Sequence, residues 1–584
     1  MRFLIFPLTG IILTGFSLSG SIAKQDDLNV LLITIDTIRP DRLSCYSTKY
    51  LRTPRIEALA ENGVVFDRAF AHNPTTLPSH ANILLGTTPL AHGVHDNSKF
   101  RINEELLTLA EFLKESGYST GAFIGAFPLD SRFGLSQGFD VYDESYSSDS
   151  SAKFTLAERR AEEVVHAAMA WFERQNSKWF SWIHLWDPHT MYSPPEPFKS
   201  KFEDDLYSGE VAYVDSELGR LFDFLEERDF FGNTLIILTG DHGESLGEHG
   251  ELTHSYFAYN STLWAPLIIA GPGIDSKRIA EYVCHVDIFP TICDILEIEK
   301  PSFLQGVSLL PLMGGKKMGK RAIYFESLNP YYNRGWAPLR GFIEDGKKFF
   351  DSPLPEFYDL ETDFNEENNI IHKIKRETQI KKLEELMDNL SSEQARDSAR
   401  RLDKETREKL RSLGYIASPT SQLKENYGPE DDLKTLLPFQ KKLDRAITLY
   451  DLGNEKESIR ALEEIIEKRK DLSQAYLYLH YIYQLKGQVE DAFAILEEGF
   501  ENNPKNFDIV SVYGTLLVES GNLDKGIEIL QYALEMIDFD PEVFNLLGFA
   551  HMRKGEEQKA LEYFNRALEL DNNHAGVYAN LGSL

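Results

Sequence analysis

The stretch Asn29-Val30-Leu31-Leu32-Ile33-Thr34-Ile35-Asp36 decides the fold, together with its counterpart Thr234-Leu235-Ile236-Ile237-Leu238-Thr239-Gly240-Asp241. Continuous apolar runs of this length, rich in β-branched residues, read as strands covered on both faces. Asp36 follows the first run directly, and Asp241 follows the second after Thr239-Gly240. Around them, Ile56–Asn62, Leu106–Ser116 and Leu156–Gln175 carry helical periodicity, so the two kinds of element alternate from Asn29 to about Asn369. Alternation of this kind predicts an α/β sandwich around a mostly parallel sheet. Ligands of such sheets gather beyond the carboxyl ends of the strands, where two aspartates can converge on one site.

The densest polar chemistry lies at the second of these strand ends: Thr239-Gly240-Asp241-His242-Gly243-Glu244, with Glu248-His249-Gly250 and His254 behind it. Asp and His side by side are ready ligands for a divalent metal. Flanking glycines let the backbone turn and approach a ligand closely. Thr75-Thr76-Leu77-Pro78-Ser79-His80 places a Thr at the start of a predicted helix, at its positive end. A Thr hydroxyl is a poor nucleophile until a metal orients it and lowers its pKa. Structural alternatives stay open: Asp36 or Thr76 as helix caps, Asp187 and His189 as organisers of a loop, Arg39 as a solvated loop charge, His92 and His95 as turn residues. His184 reads as a packed strand residue.

A second regime follows a charged helical bridge, about Lys373–Leu413, and a linker near Ser418–Pro429. Gly453, Gly487, Gly521 and Gly555 recur every 34 residues, and Ala446, His480, Gly514 and Gly548 keep the same period. Glycine between helices and small residues at helix contacts, at this spacing, resemble the tetratricopeptide repeat over about 437–584. The array predicts an all-α solenoid with a concave face suited to a protein partner. Tyr476, Tyr478, Tyr481, Tyr483 and Tyr513 read as packing residues.

At the N-terminus, Arg2, an uncharged stretch to Ala23 and the small residues of Ser21-Ile22-Ala23 read as a secretory signal at 1–23, with a retained anchor as the alternative. The expected location is therefore periplasmic or extracellular, either free or tethered by an uncleaved N-terminal segment. No later uncharged apolar run is long enough for a membrane span. With 61 Lys and Arg against 92 Asp and Glu, the net charge of −31 argues against nucleic acid, which needs basic stripes. Three cysteines, Cys45, Cys284 and Cys293, make neither a disulfide scaffold nor a CxxC pair.

Asp36-Thr37-Ile38-Arg39-Pro40-Asp41-Arg42-Leu43, Thr53-Pro54-Arg55-Ile56, Thr76-Leu77-Pro78-Ser79-His80 and His92-Gly93-Val94 resemble, in order, the N-terminal half of sulfatases in the alkaline phosphatase superfamily. His184-Leu185-Trp186-Asp187-Pro188-His189, Gly240-Asp241-His242-Gly243-Glu244, Ala265-Pro266-Leu267-Ile268-Ile269 and Val286-Asp287-Ile288-Phe289-Pro290-Thr291 continue the resemblance, and Phe357-Tyr358-Asp359-Leu360 looks like that family's C-terminal subdomain. It implies a sulfatase-like catalytic domain over 27–372, a helical bridge and linker over 373–431, and the repeats beyond. The chain departs from the family where the nucleophile stands. Thr76 replaces the Cys or Ser that sulfatases convert to formylglycine, His80 replaces the Arg of that motif, Thr37 replaces a second aspartate, and His254 replaces a sulfate-binding Lys.

Thr is the nucleophile of phosphodiesterases and phosphotransferases of the same superfamily. That pattern implies one metal bound by Asp36, Thr76, Asp241 and His242, with Asp187, His189 and His254 as a second metal or anion site. Thr76, His189 and His254 are then the catalytic residues. The His ligand favours zinc or manganese, while an all-oxygen set would suit calcium. The implied activity is a metal-dependent hydrolase or transferase of phosphate or sulfate esters on a small molecule, glycan or lipid. Two alternatives remain, a genuine sulfatase and an inactive exported binding module.

Overall fold

The computed structural model describes residues 28–145, 159–392, 424–538, 540–572 and 574–584. The signal at 1–23, the end of the helical bridge and most of the linker lie outside them. Among the described residues no helix is long and apolar enough to cross a membrane.

Eight strands form the central sheet: β1 (Asn29–Ile35), β2 (Gly63–Phe70), β3 (Ser119–Ile124), β4 (Val141–Asp143), β5 (Trp179–Leu185), β6 (Thr234–Gly240), β7 (Trp264–Ala270) and β8 (Lys277–Cys284). Their spatial order is β4-β3-β5-β1-β6-β7-β2-β8. β7 runs antiparallel to both of its neighbours and every other pairing is parallel. β1 is central, buried throughout and flanked by β5 and β6, which explains its unbroken apolar run.

Alternate residues of β1 enter opposite cores. Val30 and Leu32 pack with Leu77, Ala81 and Leu84 of the Thr76–Leu85 helix, while Leu31, Ile33 and Ile35 pack with Val164, Val211 and Leu218 of two helices on the other face. The predicted helices appear at Pro54–Glu61, Leu109–Glu115 and Ala161–Phe172. A four-stranded antiparallel sheet follows: β9 (Ile323–Ser327), β10 (Leu339–Glu344), β11 (Lys347–Asp351) and β12 (Glu356–Asp359). Helix Arg376–Leu390 covers part of the predicted bridge.

The repeats form four helix pairs, beginning with Leu433–Asp451 and Glu455–Lys468, and a single helix, Ala575–Leu581. Gly453, Gly487, Gly521 and Gly555 all have positive φ, between 70° and 88°. Each ends the first helix of a pair in the left-handed conformation that glycine adopts without strain, the physical origin of the 34-residue period. Tyr476 and Tyr513 are buried as expected, whereas Tyr478 and Tyr481 are exposed.

The first repeat helix is docked on the small sheet. Leu433, Leu436 and Leu437 join Phe257, Trp336, Phe350 and Tyr358 in one core, and buried Asp432 accepts from Ser352 Oγ at 2.7 Å and Leu354 N at 2.8 Å. A cavity of about 350 Å³ opens at this junction, lined by Arg334, Trp336, Phe439, Arg469 and Asn506 among others.

Candidate metal centre

The three central strands carry the site. In the parallel register Thr34 lies opposite His184 on one side and Thr239 on the other. Side chains alternate along a strand, so Thr34 and Asp36, His184, and Thr239 and Asp241 fall on one face. This is the face covered by the Thr76–Leu85 helix, since Leu32, Trp182 and Ile237 of the same parity share its core. The chain therefore brings Thr76, Asp36 and Asp241 together from three distant segments. All of them, with His242 and His184, are fully buried at 0 % exposure.

The backbone fixes the carboxylates. Asp36 N donates to Leu185 O at 2.9 Å, extending the β1–β5 ladder by one residue. Thr37 then takes a left-handed φ of 51°, its amide donates to Asp241 Oδ1 at 3.1 Å, and its hydroxyl donates to Pro188 O. Asp241 Oδ1 also accepts from His242 N at 2.7 Å. Asp36 Oδ1 and Oδ2, Asp241 Oδ2, Thr76 Oγ1 and His242 Nε2 remain buried without a hydrogen-bond partner. His242 Nδ1 lies 2.9 Å from Gly243 O. A carbonyl only accepts, so Nδ1 carries the proton and Nε2 presents a lone pair. That nitrogen is 3.7 Å from Asp36 Oδ1 and 3.5 Å from Asp241 Oδ2.

Burial pushes both aspartates well above the ordinary carboxylate range, and the charges of Glu244 on Asp36 and of Asp36 on Asp241 push the same way. It also holds His242 well below its ordinary value and His184 down to about 3. Among the described residues no Lys or Arg forms an ion pair with Asp36 or Asp241. Buried polar atoms are nearly always partnered. Converging carboxylates, a hydroxyl and an imidazole lone pair with none are the donor set of a divalent cation, so these residues fit a metal ion.

His189 and His254 come together beside the centre as expected, with ring centroids 5.0 Å apart, and His254 lies 4.7 Å from the His242 ring. His254 Nδ1 meets Glu244 Oε1 at 3.0 Å, and Tyr192 donates to the other oxygen of Glu244 at 3.0 Å. His189 stacks on Trp186 at 3.6 Å, donates from Nδ1 to Thr190 O at 2.7 Å, and leaves a buried Nε2 without a partner.

Asp187 does not join them, which corrects its expected place in a second metal or anion site. Its Oδ2 accepts from Ala161 N at 2.9 Å and its Oδ1 lies 3.8 Å from Arg160. The carboxylate thus sits on the positive end of the Ala161–Phe172 helix, where a negative charge is stabilised. Arg39 is not a solvated loop charge, because it is held by Asp41, Glu248 and the carbonyl of Glu244.

One residue escaped the sequence reading, and another, His184, was read there only as packing. Asn97 accepts from Leu77 N at 2.8 Å, capping the helix that carries Thr76, and its buried Nδ2 has no partner. Nothing local to Asn97 marks it. His184 reaches the centre because the parity of β5, Phe180-Trp182-His184, faces the Thr76 helix; that alternation was the available signal.

This arrangement defines an α/β domain with a cluster of buried polar groups at its strand ends. Residues 28–298 match the family model for sulfatases and 247–393 that for the N-sulphoglucosamine sulphohydrolase C-terminal region, while 484–548 and 541–574 match tetratricopeptide repeats. The chain carries a sulfatase domain of the alkaline phosphatase-like superfamily, a family of ester hydrolases, followed by tetratricopeptide repeats. It is 25% identical over 429 residues to the uncharacterized sulfatase YidJ of Escherichia coli, covering 59% of this chain and 84% of that one. The fold is similar to the phosphonate monoester hydrolase of Agrobacterium radiobacter, with a TM-score of 0.53 and 21% identity over 62% of this chain and 95% of that one. It is equally similar to a 2-O GAG sulfatase, with a TM-score of 0.53 and 20% identity over 65% and 96%.

Proposed function

We propose that the chain is an exported, metal-dependent hydrolase or transferase of phosphate esters that uses Thr76 as its nucleophile, with a repeat array that holds a protein partner. The observation that carries this reading is Thr76 Oγ1, a buried hydroxyl without a protein partner beside Asp36, Asp241 and His242. A bound divalent ion at these residues would supply the positive charge that activates the hydroxyl and stabilises the transferring group.

Thr76 Oγ forms a bond to phosphorus while the bond from phosphorus to the leaving alcohol oxygen breaks, giving a phospho-Thr76 intermediate. Water, or a second alcohol, then attacks phosphorus and returns the Thr hydroxyl. We assign the proton exchange with the leaving group and the entering water to His254, which Glu244 holds, and to His189 beside it. Oxidation at the Thr hydroxyl-bearing carbon gives a ketone, so this residue offers no route to the aldehyde hydrate of sulfatases. The similarity to a phosphonate monoester hydrolase fold accords with phosphorus chemistry, whereas the sulfatase relatives favour sulfate as the second reading.

The test is a panel of phosphate mono- and diesters and sulfate esters assayed with zinc, manganese and calcium, alongside Thr76→Ala. We expect phosphate ester cleavage that falls at least about 10³-fold in the variant, with a phosphoryl adduct trapped on the Thr76 peptide. Cleavage of sulfate esters alone, with metal bound, would establish the second reading. Absence of bound metal and indifference to Thr76→Ala would leave only a binding module.

A further inference from the structure

We propose that the cavity between the small sheet and the repeats is a binding site for a small organic acid, a carboxylate head on an aromatic or aliphatic body. None of its lining residues belongs to the cluster around Asp36, so the site is independent of the chemistry proposed there. A volume of about 350 Å³ lies within the range of small-molecule sites, which favour domain interfaces and pair apolar walls with a few polar groups. Both units build it. Buried Trp336 precedes β10, while Leu436, Leu443, Ile465 and Ala475, all buried, come from the first three repeat helices, the third being Ser473–Leu485.

Charge points to an anion. In a chain of net charge −31, the lining carries four cations, Arg334, Lys424, Arg469 and Lys505, against two carboxylates, Asp431 and Asp471. Both carboxylates are already engaged: Asp431 by Lys424 Nζ at 2.5 Å, and Asp471 by Arg469 in two bonds of 2.8 and 2.6 Å. Neither Arg334 nor Lys505 has an ion-pair partner among the described residues. Ser473, Gln474 and Ala475 also line the cavity and form the first turn of their helix, whose cap position, Leu472, makes no side-chain cap. The positive end of that helix adds to the same field. Arg334 is placed to receive the head. Its Nε donates to Gln440 Oε1 at 3.4 Å and its Nη1 to Asn329 Oδ1 at 3.5 Å, both longer than a normal N–H···O bond, and the guanidinium lies 5.9 Å from the centre of the Trp336 ring. Asp444 attracts it without reaching ion-pair contact. A guanidinium so held exchanges weak bonds to neutral amides for a bidentate, charge-assisted pair with a carboxylate. Phe439 and the buried aliphatic walls then cover the apolar body.

The experiment titrates the full chain with 4-phenylbutyrate, 4-phenylbutanol and 4-phenylbutylamine by ligand-observed NMR, and repeats the acid with Arg334→Gln and Phe439→Ala. We expect the acid to bind with a dissociation constant of about 1–10 mM, as suits a ligand of this size. The alcohol and the amine should bind at least ~10-fold more weakly, and each substitution should weaken the acid by at least ~10-fold. Thermal melts give a second reading: the acid should raise the melting temperature of the wild type and leave that of Arg334→Gln unmoved. No binding of the acid in the millimolar range, or equal binding of the three probes, overturns the site. Binding of the acid that neither substitution weakens places it elsewhere and overturns the site as well. Should one variant fail to fold, the three probes on the wild type and the remaining variant still decide.

Discussion

A buried carboxylate whose oxygens are hydrogen-bonded behaves differently from one left without partners, and this chain contains both, Asp215 and Asp36. Asp215, on the helix opposite the site, accepts from Ile56 N at 2.9 Å and Arg55 N at 3.1 Å, and burial raises its pKa to about 6. Its folded form holds a proton longer than the unfolded chain does. Asp215 therefore weakens the fold as pH rises from about 4 to about 6, a cost of up to roughly 3 kcal/mol that persists at pH 7. Asp215→Asn keeps the oxygen that accepts these bonds, so its stability relative to wild type should improve across that window; equal denaturation midpoints at pH 4 and pH 7 would refute this. Gly243 makes the opposite point about space. A Cβ there would meet Ser261 O at 2.2 Å, and the carbonyl of Gly243 holds the His242 ring. Gly243→Ala should therefore weaken metal binding by at least about tenfold, as losses of outer-shell partners do, which a zinc titration would read.

Among elements, β5 and the repeat helices show how far local pattern reaches. The apolar runs, the helix at Thr76 and the glycine period were legible because each is a property of neighbours in sequence. The position of His184 beside Asp36 was not, since a single imidazole in a strand of Trp, Phe and Ile looks like packing until its face is known. Asp187 stayed open between ligand and loop organiser for the same reason: the helix on which its carboxylate sits, Ala161–Phe172, is not adjacent to it in sequence. Two repeat glycines separate conformation from contact. At Gly487 a Cβ would meet open space, so Gly487→Ala should cost only about 1 kcal/mol for its left-handed φ. At Gly548 the same atom would meet the Phe564 ring at 2.5 Å, and Gly548→Ala should cost about 1–3 kcal/mol through overpacking. Thermal melts of the two variants should rank in that order.

Across the molecule, the repeat array is bonded to the sulfatase domain as well as tethered to it. Asp432 caps the first repeat helix through Lys434 N at 2.9 Å while accepting from Ser352 and Leu354 of the small sheet. Asp432→Ala removes both roles, and we expect a loss of roughly 2–3 kcal/mol, with a separate, earlier melting of the repeats in calorimetry. A single unshifted transition would show that the apolar contacts of Leu433, Leu436 and Leu437 suffice.

The sequence by itself determined which segments are strands and helices, where the repeats stand, and that Thr76, Asp36, Asp241 and His242 are candidates for one site. Periodicity, terminal residues and glycine conformation act over a few residues, so one chain suffices to read them. Only the tertiary structure decided that His184 lies beside Asp36, that Asn97 caps the helix of Thr76, that Asp187 sits on the Ala161–Phe172 helix, and that the first repeat helix shares a core with the small sheet. The first depends on the order β5-β1-β6 and on the face each strand presents, and all of them join different elements, whose contacts are set by packing of the whole chain.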